Sequence, residues 1–341
     1  MVYLLIRRIS NRNVYLSLTV SLLFITYPAH SEAVILTTYN DDTLCFLFFV
    51  LSILLYIKNH KWGIFLSYLM FFLALFSKEM AATLPAIILF YDWIINDRFR
   101  EGEWKHKLLY IIRSRFSVYL GYLLIVLSYL SLRVFYQPLS SEMIGGIDSS
   151  SNLFERLYYI PYQYFQFIKI SVFPLILNAD IIHHYPKDFY SLENIVSVLV
   201  FIGLIVIIIR YFNTQRVLVF GLVWFLVTLL PIINILPHKH PIAERYLYLP
   251  SVGFLLITTS LIFKSTRNAL IVKRIPWLTI RFLLIFILLT GYSIRTIIRT
   301  KDWKDSYTLW TSTLKYSPDS YVTHNNLAII DAREGRTEKA I

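Results

Sequence analysis

Nine apolar runs, most of them joined by short polar loops, set the terms for this chain, because no soluble core has room for them. They cover residues 14–27, 43–57, 62–76, 80–95, 116–136, 195–212, 217–236, 249–263 and 277–298. The chain is 57% hydrophobic, with the excess gathered into these runs. A crossing helix needs about 20 predominantly apolar residues. The pattern therefore reads as an all-α, polytopic membrane helical bundle of about nine spans over residues 1–298. Residues 62–95 form two of them. As one helix they would run about 51 Å, too long for a hydrocarbon core of ~30 Å, so a tight hairpin is expected at Ser77-Lys78-Glu79.

The net charge of +12 first suggests nucleic acid. Its distribution excludes that reading. The loops that include Arg7, Lys58, Arg98, Arg210 and Lys264 hold 17 basic residues, and the alternate set holds 6 over more chain. Such asymmetry marks the basic set as cytoplasmic. Residues 28–42, 77–79, 137–194 and 237–248 then lie outside, with the N-terminus cytoplasmic and the C-terminal tail extracytoplasmic. Residues 1–10 read as the cytoplasmic end of a membrane helix. Within the long outer loop, residues 153–173 carry apolar side chains at helical spacing, interrupted by Pro161 and bounded by Pro174. This segment is expected to lie on the membrane surface as an interfacial helix. The one cysteine, Cys45, excludes an internal disulfide.

From Lys301 the composition turns soluble. Leu327, Ala328, Gly335 and Ala340 carry the small-and-apolar spacing of a tetratricopeptide repeat of about 34 residues, and Trp310 and Pro318 fit a preceding, degenerate one. Residues 299–341 are expected to be partial repeats that bind a protein acceptor or partner.

Unusual polar residues gather in the expected outer loops: His30, Glu32, Asp41 and Asp42; Lys78 and Glu79; Asp180, His183, His184 and Asp188; His238, His240, Glu244 and Arg245. Carboxylates, imidazoles and a guanidinium on one membrane face suit a phosphate-and-sugar site, since Arg forks match phosphate and a carboxylate can take a hydroxyl proton. Each also has a structural reading. Glu244 and Arg245 form either a loop-locking ion pair or part of a site. Lys78-Glu79 caps a hairpin, and Asp41-Asp42 N-caps the second crossing. No two histidines stand at the spacing of a helical ligand pair, so no metal is expected.

Three stretches carry a resemblance. Tyr27-Pro-Ala-His-Ser-Glu-Ala-Val34, Phe76-Ser-Lys-Glu-Met80 and Ala243-Glu-Arg-Tyr-Leu-Tyr-Leu-Pro-Ser-Val-Gly-Phe254 resemble segments of the transmembrane and tetratricopeptide-repeat-containing protein O-mannosyltransferases and their bacterial relatives. Asp302-Trp303, leading into the tail, fits as well. The resemblance implies a C-type glycosyltransferase (GT-C) fold. It implies a polyprenyl-phosphate-linked sugar as donor, mannose by the family's name, and points to no certain cofactor. By motif it implies Glu32 and Glu244 as catalytic candidates and His30, Lys78, Glu79, Arg245 and Tyr246 as substrate-binding ones. Arg245 would face the lipid phosphate. The family opens with a further membrane helix and an outer loop whose Asp-Asp pair supplies the catalytic base. Nothing before Glu32 is acidic here, Asp41-Asp42 sits in a later loop, and Asn40 stands where relatives carry Arg. The expectation is a membrane glycosyltransferase. The alternative is a truncated or non-catalytic anchor that displays its repeats. A transporter is disfavoured, because paired Gly/Pro-broken helices do not recur in two halves.

Overall fold

The computed structural model describes residues 1–96, 104–136, 153–181, 190–233, 242–263 and 277–336. Every regular element among them is helical. The chain opens with α1 (Val2–Ile9) and α2 (Val14–Thr26), and Pro28 ends the latter by opening a 3-10 turn into the short α3 (Ser31–Ile35). Next come α4 (Asn40–Ile57), α5 (Lys61–Ser77), α6 (Leu84–Phe90), α7 (Trp104–Ser114) and α8 (Phe116–Tyr136). After these follow α9 (Leu153–Tyr158), α10 (Ile160–Val172), α11 (Leu192–Tyr211), α12 (Arg216–Leu229), α13 (Ser251–Phe263) and α14 (Trp277–Asp302). Two tail helices, α15 (Ser306–Leu314) and α16 (Tyr321–Arg333), complete the described chain.

Four segments are long and apolar enough to cross a bilayer alone: Thr37–Ile57, Phe116–Tyr136, Leu192–Tyr211 and Leu278–Asp302. Val14–Thr26 and Pro28–Ile35 pass the same test as one pair bent by 52°. Lys61–Ser77, Arg216–Ile232 and Ser251–Phe263 are apolar but shorter. The chain is thus an all-α membrane protein. Of α8, Tyr122 is the side chain that is buried, while Leu123, Leu124, Leu127 and Leu130 stand exposed, as lipid-facing surfaces do. The expected run at 80–95 is broken into a 3-10 turn (Glu79–Thr83), α6 and a π turn (Tyr91–Ile95).

Two contacts set the interior. Ser52 and Ser67 bond reciprocally to each other's carbonyls at 2.8 and 2.6 Å, and Ser67 Oγ lies 2.6 Å from Tyr122 Oη, so small polar groups knit α4, α5 and α8. Helices α12 and α13 meet at Gly221 and Gly253, beside the buried Trp224, whose indole N–H donates to the Leu249 carbonyl at 3.0 Å.

The amphipathic stretch at 153–173, expected as an interfacial helix interrupted by Pro161, packs one face into the bundle. It is split at Tyr159, with Pro161 in the first turn of α10, where a missing N–H costs nothing. It buries Tyr164, which stacks on Phe201 of α11 at 5.3 Å and donates to the Leu226 carbonyl at 2.6 Å.

Candidate functional site

Helix ends build the site. α2 stops before it, α4 starts in it, α5 stops in it and α13 starts just after it, so three segments distant in sequence, residues 27–42, 77–79 and 243–251, meet at one end of the bundle.

Glu32, on α3, is buried and accepts twice from Arg245: from the backbone N–H at 3.0 Å and from the guanidinium Nη1. Two bonds of different origin fix both the Arg245 turn and its side chain. The guanidinium also lies 4.3 Å from the Tyr39 ring centroid and 4.9 Å from that of Tyr246. Burial opposes the Arg245 charge, but Glu32 more than offsets it, so the group stands above its ordinary value.

Lys78 flanks the other side of Tyr246, its Nζ 5.3 Å from the ring. The ammonium pairs with Asp42 at 2.5 Å and with Asp41 at 3.6 Å. Burial works against this charge too, and Asp42 outweighs it, leaving Lys78 raised. These acids do not cap α4. The N-cap position is Tyr39 and has no side-chain cap bond; Asp41 and Asp42 sit in the first turn and serve Lys78. The Asp41 side chain is 41% exposed against 3% for Asp42, so Asp41 is the carboxylate of this pair that solvent reaches.

Glu244 and Arg245 do not pair with each other. The Glu244 side chain is wholly buried and turns away to Arg299, whose Nη2 donates to both carboxylate oxygens at 3.2 and 3.4 Å. The backbone N–H of Asn178 makes a third bond to the carboxylate. Burial raises the Glu244 carboxyl, with Arg299 and the Asn178 N–H opposing.

His30 sits in an aromatic nest, its ring 4.5 Å from Phe24, 4.6 Å from Tyr248 and 5.0 Å from Tyr27. Its Nε2 lies 2.8 Å from Ser251 Oγ, whose hydroxyl donates to the Tyr248 carbonyl at 2.9 Å. It therefore packs the α2–α3 turn onto the start of α13. Glu79 stands apart, 3.9 Å from Arg133, with both side chains more than a third exposed.

The described residues contain no cluster of His, Cys, Asp and Glu fit to hold a metal. His183, His184, Asp188, His238 and His240 lie outside the described residues.

Sequence reasoning missed two participants in this site and one buried acid away from it. Asn178 and Arg299 carried no signal of their own. Asp92 did: an acid inside an apolar run is a flag. It is fully buried in the π turn, where it accepts from Tyr119 Oη at 2.8 Å, from Asn96 Nδ2 at 2.7 Å and from Tyr56 Oη, with Arg115 Nε 3.9 Å away. Tyr56 and Asp42 are about 21 Å apart along α4, so this network marks the opposite end of the bundle.

No family model matches the chain. No solved structure matches it either. Curated proteins do. Protein O-mannosyl-transferase F38B6.6 of Caenorhabditis elegans is 23% identical over 333 residues, covering 95% of this chain and 44% of the relative. Protein O-mannosyl-transferase TMTC4 of Homo sapiens is 23% identical over 360 residues, covering 95% of this chain and 48% of the relative. Protein O-mannosyl-transferase Tmtc2 of Drosophila melanogaster is 33% identical over 131 residues, 36% of this chain and 13% of that protein. The chain spans just under half the length of the relatives it matches from end to end. Similarity at modest identity along nearly all its length to proteins named protein O-mannosyl-transferases supports assigning the chain to the TMTC family.

Proposed function

We propose that this chain is the membrane part of a GT-C-type glycosyltransferase. It would move a sugar, mannose by analogy with the names of its relatives, from a polyprenyl-phosphate carrier to a protein hydroxyl at the extracytoplasmic face. One observation carries the reading: Glu32, Asp41, Asp42, Lys78, Arg245 and Tyr246 converge from three separate segments around a single ring. Sidedness supports it as well. The basic loops lead to the Asp92 end of the bundle, so the cluster falls opposite the cytoplasm under the positive-inside rule. Nine crossings would place the tail on the cluster's side, and the tail's spacing supports tetratricopeptide repeats there.

In the proposed reaction the acceptor oxygen attacks the anomeric carbon, the carbon–phosphate oxygen bond breaks, and the carrier phosphate leaves with the bonding electrons. Arg245 and Lys78 are the cations that would meet that phosphate. Glu32 and Glu244, both buried and bonded to cations, hold the site rather than take protons. Asp41 is the carboxylate open to an incoming hydroxyl, so it is assigned the proton.

A second reading, a non-catalytic anchor that displays the tail to a protein partner, has one observation in its favour. Glu32, Asp42 and Glu244 are each buried against a cation, as structural ion pairs are. The full-length gene product in membranes, supplied with polyprenyl-phosphate mannose and a polypeptide acceptor, separates the two. Asp41→Asn, at a half-exposed position that tolerates it, is expected to lower transfer about 10²–10⁴-fold. Transfer unchanged by both Asp41→Asn and Arg245→Lys rules out these assignments, and a parent protein that never transfers sugar favours the anchor.

A further inference from the structure

Glu244 and Arg245 are adjacent, yet they serve different parts of the molecule. Arg245 faces the charged cluster through Glu32. Glu244 faces the tail. Its carboxylate is held by Arg299, whose Nη1 lies 3.3 Å from Asp302 and whose guanidinium covers the Trp303 ring at 5.2 Å, where α14 gives way to the tail. It is also held by the Asn178 backbone, and the Asn178 side chain reaches the tail directly. Nδ2 donates to Ser317 Oγ at 2.5 Å, the Ser317 hydroxyl donates to the Asp180 carbonyl at 2.8 Å, and Ser320 Oγ donates to Asp180 Oδ2 at 2.5 Å. Asn178, Glu244, Arg299, Ser317 and Ser320 are all buried. Arg295 Nε ties the same 173–181 stretch down again, donating to the Leu175 carbonyl at 2.9 Å.

A joint of this kind differs from apolar packing. Hydrogen bonds and a buried carboxylate–guanidinium contact are directional, so they fix an orientation, whereas greasy surfaces slide. Buried ionic groups earn little stability, and fixing a register is their best-attested use. Here the register is that of α15 and α16 relative to the turn bearing Arg245.

We infer that the Asn178–Glu244–Arg299 joint is a positioning device: it sets where a polypeptide acceptor carried by the tail meets the Arg245–Lys78 cluster. Glu244 is then a positioning residue that acts through Arg245 and the tail, and not a catalytic one. The inference rests on the glycosyltransferase reading for its chemistry, though not for its geometry. A polypeptide acceptor needs the joint. Water, which attacks the donor without the tail, does not.

Ser317→Ala removes one of the two tail hydroxyls in the joint, leaves Ser320 on Asp180, and touches nothing in the cluster; Ser317→Thr keeps the hydroxyl. In the full-length protein in nanodiscs, Ser317→Ala is expected to raise the KM for a polypeptide acceptor about tenfold. Hydrolysis of polyprenyl-phosphate mannose by water should stay within twofold, and Ser317→Thr should restore the parent KM. Backbone hydrogen exchange over residues 306–333 should quicken in Ser317→Ala and in Asn178→Ala. A purely structural role predicts that transfer and hydrolysis fall together, and that result overturns the inference. Unchanged KM and unchanged exchange in both variants overturn it as well. If the parent neither transfers nor hydrolyses, the glycosyltransferase reading fails by itself; the exchange measurement still decides whether the joint holds the tail.

Discussion

Gly253→Ala should be among the most damaging single-methyl additions to this protein. A Cβ at Gly253 would lie 2.5 Å from the Gly221 carbonyl oxygen, 2.7 Å from the Phe225 nitrogen and 3.0 Å from Trp224 Cδ1. Two of these are backbone atoms and cannot rotate aside, so α12 and α13 must part by roughly 1 Å to restore ordinary contact. Overpacking of this kind costs about 1–3 kcal/mol. Parting the helices also stretches the Trp224 N–H bond to Leu249, about 1 kcal/mol more. The better helix propensity of Ala returns up to ~1 kcal/mol. The net expectation is a loss of about 1–3 kcal/mol, read as reversible unfolding in bicelles. Gly203 and Gly291 supply the controls, because a Cβ at either meets nothing within 4 Å. Gly203→Ala and Gly291→Ala should be neutral or stabilising by up to ~1 kcal/mol. The site should feel Gly253→Ala too, since Ser251, bonded to His30, sits in the same first turn of α13. A Gly253→Ala protein within ~0.5 kcal/mol of its parent, or a Gly203→Ala protein equally damaged, refutes the close-approach argument.

Three smaller tests address the charged groups. Lys78→Met strands a buried Asp42 and should cost about 3–5 kcal/mol, much of it recovered in the Lys78→Met/Asp42→Leu double variant by the same unfolding assay. Because the Lys78 pKa is raised in the fold, its contribution is fully present below the ordinary lysine value and lost only as pH rises through the folded one. The cost of Lys78→Met should therefore not shrink as pH rises from about 7.5 to 9, and a falling cost across that window contradicts the pairing. Asp92→Leu strips acceptors from Tyr56, Tyr119 and Asn96 and should cost more than Asp92→Asn, which keeps one; equal melting temperatures for the two variants would show that the network carries no weight. Glu79→Gln should change unfolding by less than ~0.5 kcal/mol, because its contact with Arg133 is long and exposed; a larger loss would place Glu79 inside the site.

The helices and the motif turns were legible in the sequence, and the partnerships were not. Hydropathy marks α4, α8, α11 and α14 because a bilayer demands long apolar segments. The stop at Ser77 follows from length alone. Adjacency, by contrast, misled. Glu244 and Arg245 look like a pair, but in a 3-10 turn neighbours point about 120° apart, and each finds its partner in a distant segment, Arg299 and Glu32. Asp41-Asp42 has the composition of an N-cap, yet a buried ammonium from the end of α5 outweighs a cap bond available from water. Local propensity holds no record of which helix ends will meet.

Charge balance at the cluster narrows how a phosphate would enter. Glu32, Asp41 and Asp42 are three carboxylates against two cations, Lys78 and Arg245, so when all are ionised the group carries one excess negative charge, and its exposed part is Asp41. An anionic donor cannot simply add to that arrangement, since like charges within a few ångströms repel strongly where water is scarce. It must take a cation away from a carboxylate. Lys78, with two acids and a flexible stem, can exchange Asp41 for a phosphate and keep Asp42. Arg245 is held to Glu32 by its own backbone as well as by its side chain, and is the less free of the two. Displacing Asp41 from Lys78 would free that carboxylate, so under the proposed reading binding the donor and releasing the base become one event.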